Sequence, residues 1–154
     1  MKLKIGILAS ILLALGSLQV EAKSANTCTS GKHNGCQFTT SGNLNLQTAH
    51  QNNAKTIPLR INDETFGDMS LYHSKAHAMD SVRGSFSFNN DTHDKLKFKY
   101  HLILKDKKGI VAQTHGHLHI DPGNTQKIKI SNIVLREKDI KNISSYEIHM
   151  VGTH

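Results

Sequence analysis

The chain has 154 residues, among them 11 histidines and no tryptophan, and its 19 Lys plus Arg against 12 Asp plus Glu give a formal charge of +7. A basic surface suits anionic partners. The lysines are nevertheless spread along the chain, with no stacked aromatic platform and no recognition helix, so the charge describes a solvated surface and excludes a nucleic-acid reader.

Residues 1–22 read as a secretory signal peptide. Lys2 and Lys4 precede an apolar run over 5–18, and Val20-Glu21-Ala22 supplies the small-residue spacing for cleavage after Ala22. The run falls short of the ~20 residues a bilayer span needs. No later segment is apolar enough, so no integral membrane segment is expected after cleavage. The mature chain, about 130 residues, is one domain in size, and a periplasmic or secreted location follows. Losing two lysines and one glutamate with the signal takes the formal charge from +7 to +6.

Cys28 and Cys36 both lie in the exported part. An oxidising compartment closes such a pair into a disulfide, which contributes about 2–3 kcal/mol for so short a loop. The rival, a metal site made by Cys28, His33 and Cys36, is disfavoured because thiolates exposed outside the cytoplasm oxidise first. Residues 23–55 therefore read as a disulfide loop and extended segment, and 56–154 as the main domain.

In chain order, residues 38–46 are strand-like but interrupted by Gly42, which predicts an edge strand at best. Residues 47–55 are a polar connection. Ile57, Leu59 and Ile61 alternate on one side of 56–61, and Pro58 confines that strand to an edge or a strand start. A turn is expected over 62–68. Residues 69–79 are ambiguous: Met69, Leu71 and His73 fit a strand, while His73 and His77 would share a helix face. With no N-cap beside an apolar stripe, an extended or loop-like path is expected. Val82, Phe86 and Phe88 stay in step through a strand at 81–88, with Gly84 between them, and 89–94 is a turn.

Residues 95–120 are the centre of the pattern. Leu96, Phe98, Tyr100, Leu102 and Leu104 alternate with Lys95, Lys97, Lys99, His101 and Ile103, the period of a strand with one dry face. A turn over 105–109 leads into a partner strand, where Ile110, Ala112, Thr114, Gly116, Leu118 and Ile120 share one side. The two should form an antiparallel hairpin. Asp121-Pro122-Gly123-Asn124 is a turn, 125–135 a strand carrying Ile128 and Ile130, and 136–142 a short helical turn. The last strand, 145–151, points Tyr146, Ile148 and Met150 inward. About seven short strands with turn chemistry between them predict an all-β fold, an antiparallel immunoglobulin-like β-sandwich.

From Val82 onward the order of strands and turns resembles the immunoglobulin-like or fibronectin-like modules of exported bacterial proteins. The FxLYD-type group is the nearest of these, through a Val-x-Gly-x-Phe-x-Phe-Asn start at Val82, Gly84, Phe86 and Phe88-Asn89. The resemblance covers about the last 70 residues; the Phe-x-Leu-Tyr-Asp signature itself is absent. The whole chain also resembles the small exported enhanced-entry proteins of intracellular pathogens. These resemblances imply a sandwich fold and a role at the envelope or host interface.

The hairpin sets His115, His117 and His119 on one side of their strand, about 6.6–7 Å apart at Cα, with His101 expected opposite positions 113–115. Three or four imidazoles could share Zn²⁺ or Cu²⁺, joined by His149 from another strand. The alternative is a solvated polar face, since no carboxylate is placed to orient the rings. Catalysis lacks support: there is no Gly-x-Ser-x-Gly elbow, no His-Glu-x-x-His and no phosphate-cradling glycine loop. The leading expectation is a non-enzymatic binding module for a protein or an anionic envelope or host-surface ligand, with no nucleic-acid partner. A periplasmic Cu or Zn protein using His115, His117, His119 and His101 is the alternative.

Overall fold

The computed structural model describes residues 23–26, 36–61 and 64–153. The expected signal peptide and Cys28 lie outside the described residues.

Nine strands and one short helix are described: β1 (Lys23–Asn26), β2 (Gln37–Asn43), β3 (Lys55–Ile61), β4 (Glu64–Ala76), β5 (Met79–Asn89), β6 (Leu96–Asp106), β7 (Gly109–Ile120), β8 (Thr125–Val134), α1 (Glu137–Asn142) and β9 (Ser145–Gly152). They form two antiparallel sheets, one ordered β1-β2-β9-β6-β7 and the other β3-β4-β5-β8. The fold is the expected antiparallel β-sandwich. β5 pairs with β8 in one sheet and β6 with β9 in the other, the interlock that strands B–E and C–F make in immunoglobulin-type sandwiches. Beside β9, where such a sandwich carries its last strand, lies β2 from the N-terminal segment. The sandwich thus reaches further toward the N-terminus than residue 56.

Two-residue alternation builds the interior. Phe98, Leu102 and Leu104 of β6 are fully buried, as are Met69, Leu71 and Phe86 on the opposing sheet. Phe86 meets Tyr100 edge-on across the interior, with ring centroids 4.8 Å apart, a geometry favoured by the ring quadrupoles. Two tyrosines lie over glycines on neighbouring strands. Tyr146 covers Gly42 and Tyr100 covers Gly116; a Cβ on Gly116 would sit 2.7 Å from Tyr100 Cε1. Burial pushes both phenols above their ordinary titration range. The glycine of the His115-Gly116-His117 run is therefore there for the core, under a ring.

Several local expectations change. β2 is an inner strand, flanked by β1 and β9; Gly42 does not break it, because the Tyr146 ring fills the space its missing side chain leaves. Residues 64–76 are one continuous strand: the turn expected over 62–68 gives way to strand from Glu64, and the extended path allowed for 69–79 is taken as far as Ala76. β3 pairs with this strand on one side and β5 on the other, from Gly67 to Ala76, and tertiary pairing overrides its weak local pattern. Ile110 is 62% exposed, although it was expected inside with Ala112. The register shifts between Leu104 and Lys105, so that Leu104 faces Ala112 while Lys105 faces Ile110. The extra residue, Val111, is a bulge, and it turns Ile110 to the other face. Pro58 lies on β3, an edge as expected.

At one end, buried Asn90 joins the sheets. Its Nδ2 donates to the carbonyls of Asp94 (2.8 Å) and Ile120 (3.0 Å), and its Oδ1 accepts from the Thr92 amide (3.0 Å) and hydroxyl (2.6 Å). All four hydrogen-bonding positions of the amide are filled, which a buried Asn requires.

Candidate functional site

The exposed face of the five-stranded sheet collects the histidines. Across the β6–β7 hairpin Lys97 faces His119, Lys99 faces His117 and His101 faces His115. On the other side of β6, His101 faces His149 and Ile103 faces Glu147, and His149 in turn faces Thr39. One row of the sheet thus reads Thr39, His149, His101, His115 across four strands. Position 101 lies opposite 115, inside the expected window. Alternation places these residues outside because the positions between them, Phe98, Tyr100, Leu102, Leu118, Ile148 and Met150, are the buried ones.

The row is hydrogen-bonded at its centre. The His101 and His149 rings lie 6.3 Å apart, tilted by 33°. His101 Nε2 donates to Gln113 Oε1 at 3.1 Å. His149 uses both nitrogens, Nδ1 with the Thr39 hydroxyl at 2.9 Å and Nε2 with Glu147 Oε1 at 2.5 Å. The other oxygen of Glu147 takes Lys105 Nζ at 2.5 Å. The Lys105 hydrogen bond, and to a lesser degree the His149 hydrogen bond and the charges of both, hold the Glu147 carboxyl below the usual carboxylate range against the opposing effect of burial. The sequence offered no carboxylate to orient these imidazoles; Glu147 does so for His149, from two residues away on the same strand face.

Among the described residues, no three or more His, Cys, Asp or Glu side chains are gathered where they could share a metal ion. His115, His117 and His119 do share one exposed face, but as alternate residues of a single strand they stand about 6.6–7 Å apart with no fourth group between them. His73 and His77 do not form a pair. His73 Nε2 lies 2.6 Å from Asp80 Oδ1 in a half-buried contact, and His77 is in the β4–β5 turn with φ 52°. Cys36 is buried and disulfide-bonded, and its expected partner Cys28 lies outside the described residues.

Sequence reading missed the lysines as part of this site. Lys97 and Lys99 were assigned to the wet face of the hairpin, but only the register shows each of them opposite an imidazole. It missed Glu147 for a different reason: β9 meets β6 only through long-range pairing, which no local pattern announces.

Among the described residues, no helix is long and apolar enough to cross a membrane. No family model matches the sequence, and no curated protein matches it. Among solved structures, the chain is similar to a chain of the T13 IBDV viral particle at 16% identity and TM-score 0.38, over 86% of this chain and 26% of that one. A chain of the infectious bursal disease virus Gx strain is similar at 15% identity and TM-score 0.38, over 86% and 27%. The FeII form of HppE is similar at 10% identity and TM-score 0.22, over 72% and 64%. This chain spans about a quarter of the two viral chains, and likenesses at these scores carry no functional inference.

Proposed function

We propose that this protein is an exported, non-enzymatic β-sandwich that works by binding, with the exposed face of its five-stranded sheet as the binding surface. One observation carries the reading. Strands β6, β7 and β9 turn Lys97, Lys99, His101, His115, His117, His119 and His149 to a single face, and the carboxylate on that face, Glu147, is held by Lys105 and His149. A surface so rich in donors and so poor in free acceptors suits a protein patch or an anionic ligand of the envelope or of a host surface. The test is site-specific photocrosslinking in producing cells, with the crosslinker at position 99 and, as control, at position 129 on the other sheet. Adducts from position 99 alone support the reading. Equal adducts from both positions, or none from either, overturn it. N-terminal sequencing of the exported protein should begin at Lys23.

A second reading, a periplasmic Cu or Zn protein, draws on the register that sets His101 opposite both His115 and His149. Cross-strand neighbours are closer than alternate residues of one strand, so this row is a better candidate than His115, His117 and His119. Calorimetric titration of tag-free protein with Cu²⁺ and Zn²⁺ tests it. Stoichiometric binding lost in H101A supports the reading, and weak unsaturable heat removes it.

A further inference from the structure

We infer that the partner of this face is an acidic polysaccharide, whose anionic groups lie on a grid formed by Lys97, Lys99 and His101 of β6 and His119, His117 and His115 of β7. The inference rests on the binding-surface reading above and names the ligand class for it.

The grid is two columns wide and three rows long: Lys97 beside His119, Lys99 beside His117, His101 beside His115. Columns in a sheet are about 4.8 Å apart, and successive rows on one face about 6.6–7 Å. Every position carries an N–H donor in either protonation state of the imidazole, and none carries a carboxylate. The nearest acids are already engaged, Asp121 with Lys95 at 3.0 Å and Glu147 with Lys105 and His149. Lys97, Lys99, His115, His117 and His119 form no side-chain hydrogen bond or ion pair among the described residues, and His101 donates only to Gln113. Among the described residues a carboxylate acts on the grid at one corner, where Asp121 and His119 interact; the donors left side by side elsewhere in it are complementary to an anion that comes from outside.

The chemistry around the grid selects among anions. The phenyl and phenol rings of β6 and β9, Phe98, Tyr100 and Tyr146, are all buried, so a bilayer would find no aromatic anchor and a nucleic-acid strand only imidazoles to stack on. The neighbouring outward positions are mostly neutral and polar, Gln113 on β7, Ser145 on β9, and Thr39, Ser41 and Asn43 on β2, with apolar Ile103 opposite Gln113 and Val151 opposite Lys99. Amides and hydroxyls flanking cations fit a ligand that alternates charged groups with hydroxyls, which is what an acidic polysaccharide presents and a bare polyphosphate does not.

The experiment measures binding of tag-free protein to heparin by affinity chromatography and by fluorescence anisotropy with a labelled heparin oligosaccharide. The triple variant K97Q/K99Q/H117Q is compared with K127Q/K129Q on the opposite sheet, and urea unfolding verifies that both variants fold. The expected result is a loss of roughly tenfold or more in affinity and a shallower salt dependence for the grid variant, with the opposite-face variant like wild type. Equal losses in the two variants, or no binding by wild type, overturn the inference. Grid-dependent binding that is tighter to inorganic polyphosphate or to phosphatidylglycerol vesicles than to heparin also overturns it. Crosslinks from position 99 that persist while heparin fails would leave the binding surface standing and remove only the polysaccharide.

Discussion

The outer faces of the two sheets are built on the same alternation and finish differently. On the four-stranded sheet one row runs Thr56, Ser70, Ser85, Lys129 and the next Pro58, Asp68, Ser87, Lys127. Thr56 and Ser70 approach within 3.4 Å through their hydroxyls, and Ser85 is only 9% exposed. Short hydroxyl side chains lie close to the backbone, and here each lysine stands opposite a serine. On the five-stranded sheet Lys97 and Lys99 stand opposite imidazoles and form no side-chain hydrogen bond or ion pair among the described residues, while His101, His149 and Lys105 are hydrogen-bonded. The first face keeps most of its polar groups short and close to the backbone, although Arg83 Nε on β5 is buried without a hydrogen-bond partner among the described residues, while the second carries its donors on long side chains. The same backbone geometry can therefore make two different surfaces, and the choice lies in the cross-strand pairs.

The largest effects should come from the glycines beneath these faces, and they should differ between the sheets. A Cβ on Gly84 would be driven into the Ser70 backbone carbonyl, whereas on Gly116 it would meet the Tyr100 ring. A carbonyl in a paired strand cannot swing aside; a ring can give a little. Gly84→Ala should cost about 3 kcal/mol or more, and Gly116→Ala about 1–3 kcal/mol, both read from urea midpoints. Equal losses would show that the two sheets yield equally. Next comes Asn90→Ala, which removes all four hydrogen bonds where β5 meets the end of β7 and leaves the Ile120 carbonyl without its side-chain donor. A loss of about 2–3 kcal/mol is expected, with Asn90→Asp no better, because a carboxylate cannot donate to the two carbonyls.

The sandwich was legible because burial imposes a period of two wherever a strand has one dry face. Leu96 to Leu104, Ile128 with Ile130, and Tyr146 with Ile148 and Met150 all carry that period openly. Legibility failed where a feature depends on partners far away in the chain. Gly42 reads as a strand breaker until Tyr146 is seen above it. Residues 64–68 read as part of a turn, and 69–76 as ambiguous, until β3 and β5 lie beside them, and Ile110 reads as core until the bulge at Val111 turns it outward. The candidate site divides in the same way. That His115, His117 and His119 share a side followed from alternation within one strand. That His149 completes a row with His101, and that Glu147 orients it, followed from the β6–β9 pairing alone.

A smaller effect concerns that carboxylate. Glu147 is more acidic in the folded protein than an ordinary carboxyl, chiefly through Lys105. A group whose folded pKa is depressed binds protons more weakly in the native state, so its contribution is complete above the ordinary carboxylate range and is lost as pH falls through the folded value. Glu147→Gln should therefore lower stability at neutral pH and converge with wild type in acid, once the pH has fallen below the depressed folded value. The pair is partly solvated, and a difference under about 1 kcal/mol is expected, measured by thermal unfolding across pH. A gap that widened in acid would mean that the pairing with Lys105 and His149 does not hold in solution.

The smallest effect separates the faces most directly. Lys97 and Lys99 stand as successive outward residues of one strand with no ion pair among the described residues, so their repulsion is relieved when the charge goes. K97Q/K99Q should be as stable as wild type or more stable by a few tenths of a kcal/mol, within the range of surface changes. K127Q/K129Q provides the contrast: Lys127 shares its row with Asp68 across Ser87, and neutralising it should leave stability unchanged or slightly lower. High-precision urea unfolding at low ionic strength resolves the two, since salt erases both effects. Like charges without a partner gain stability when neutralised, and a lysine that shares its row with a carboxylate does not. If K97Q/K99Q loses stability instead, those lysines serve the fold, and the contrast between the faces disappears.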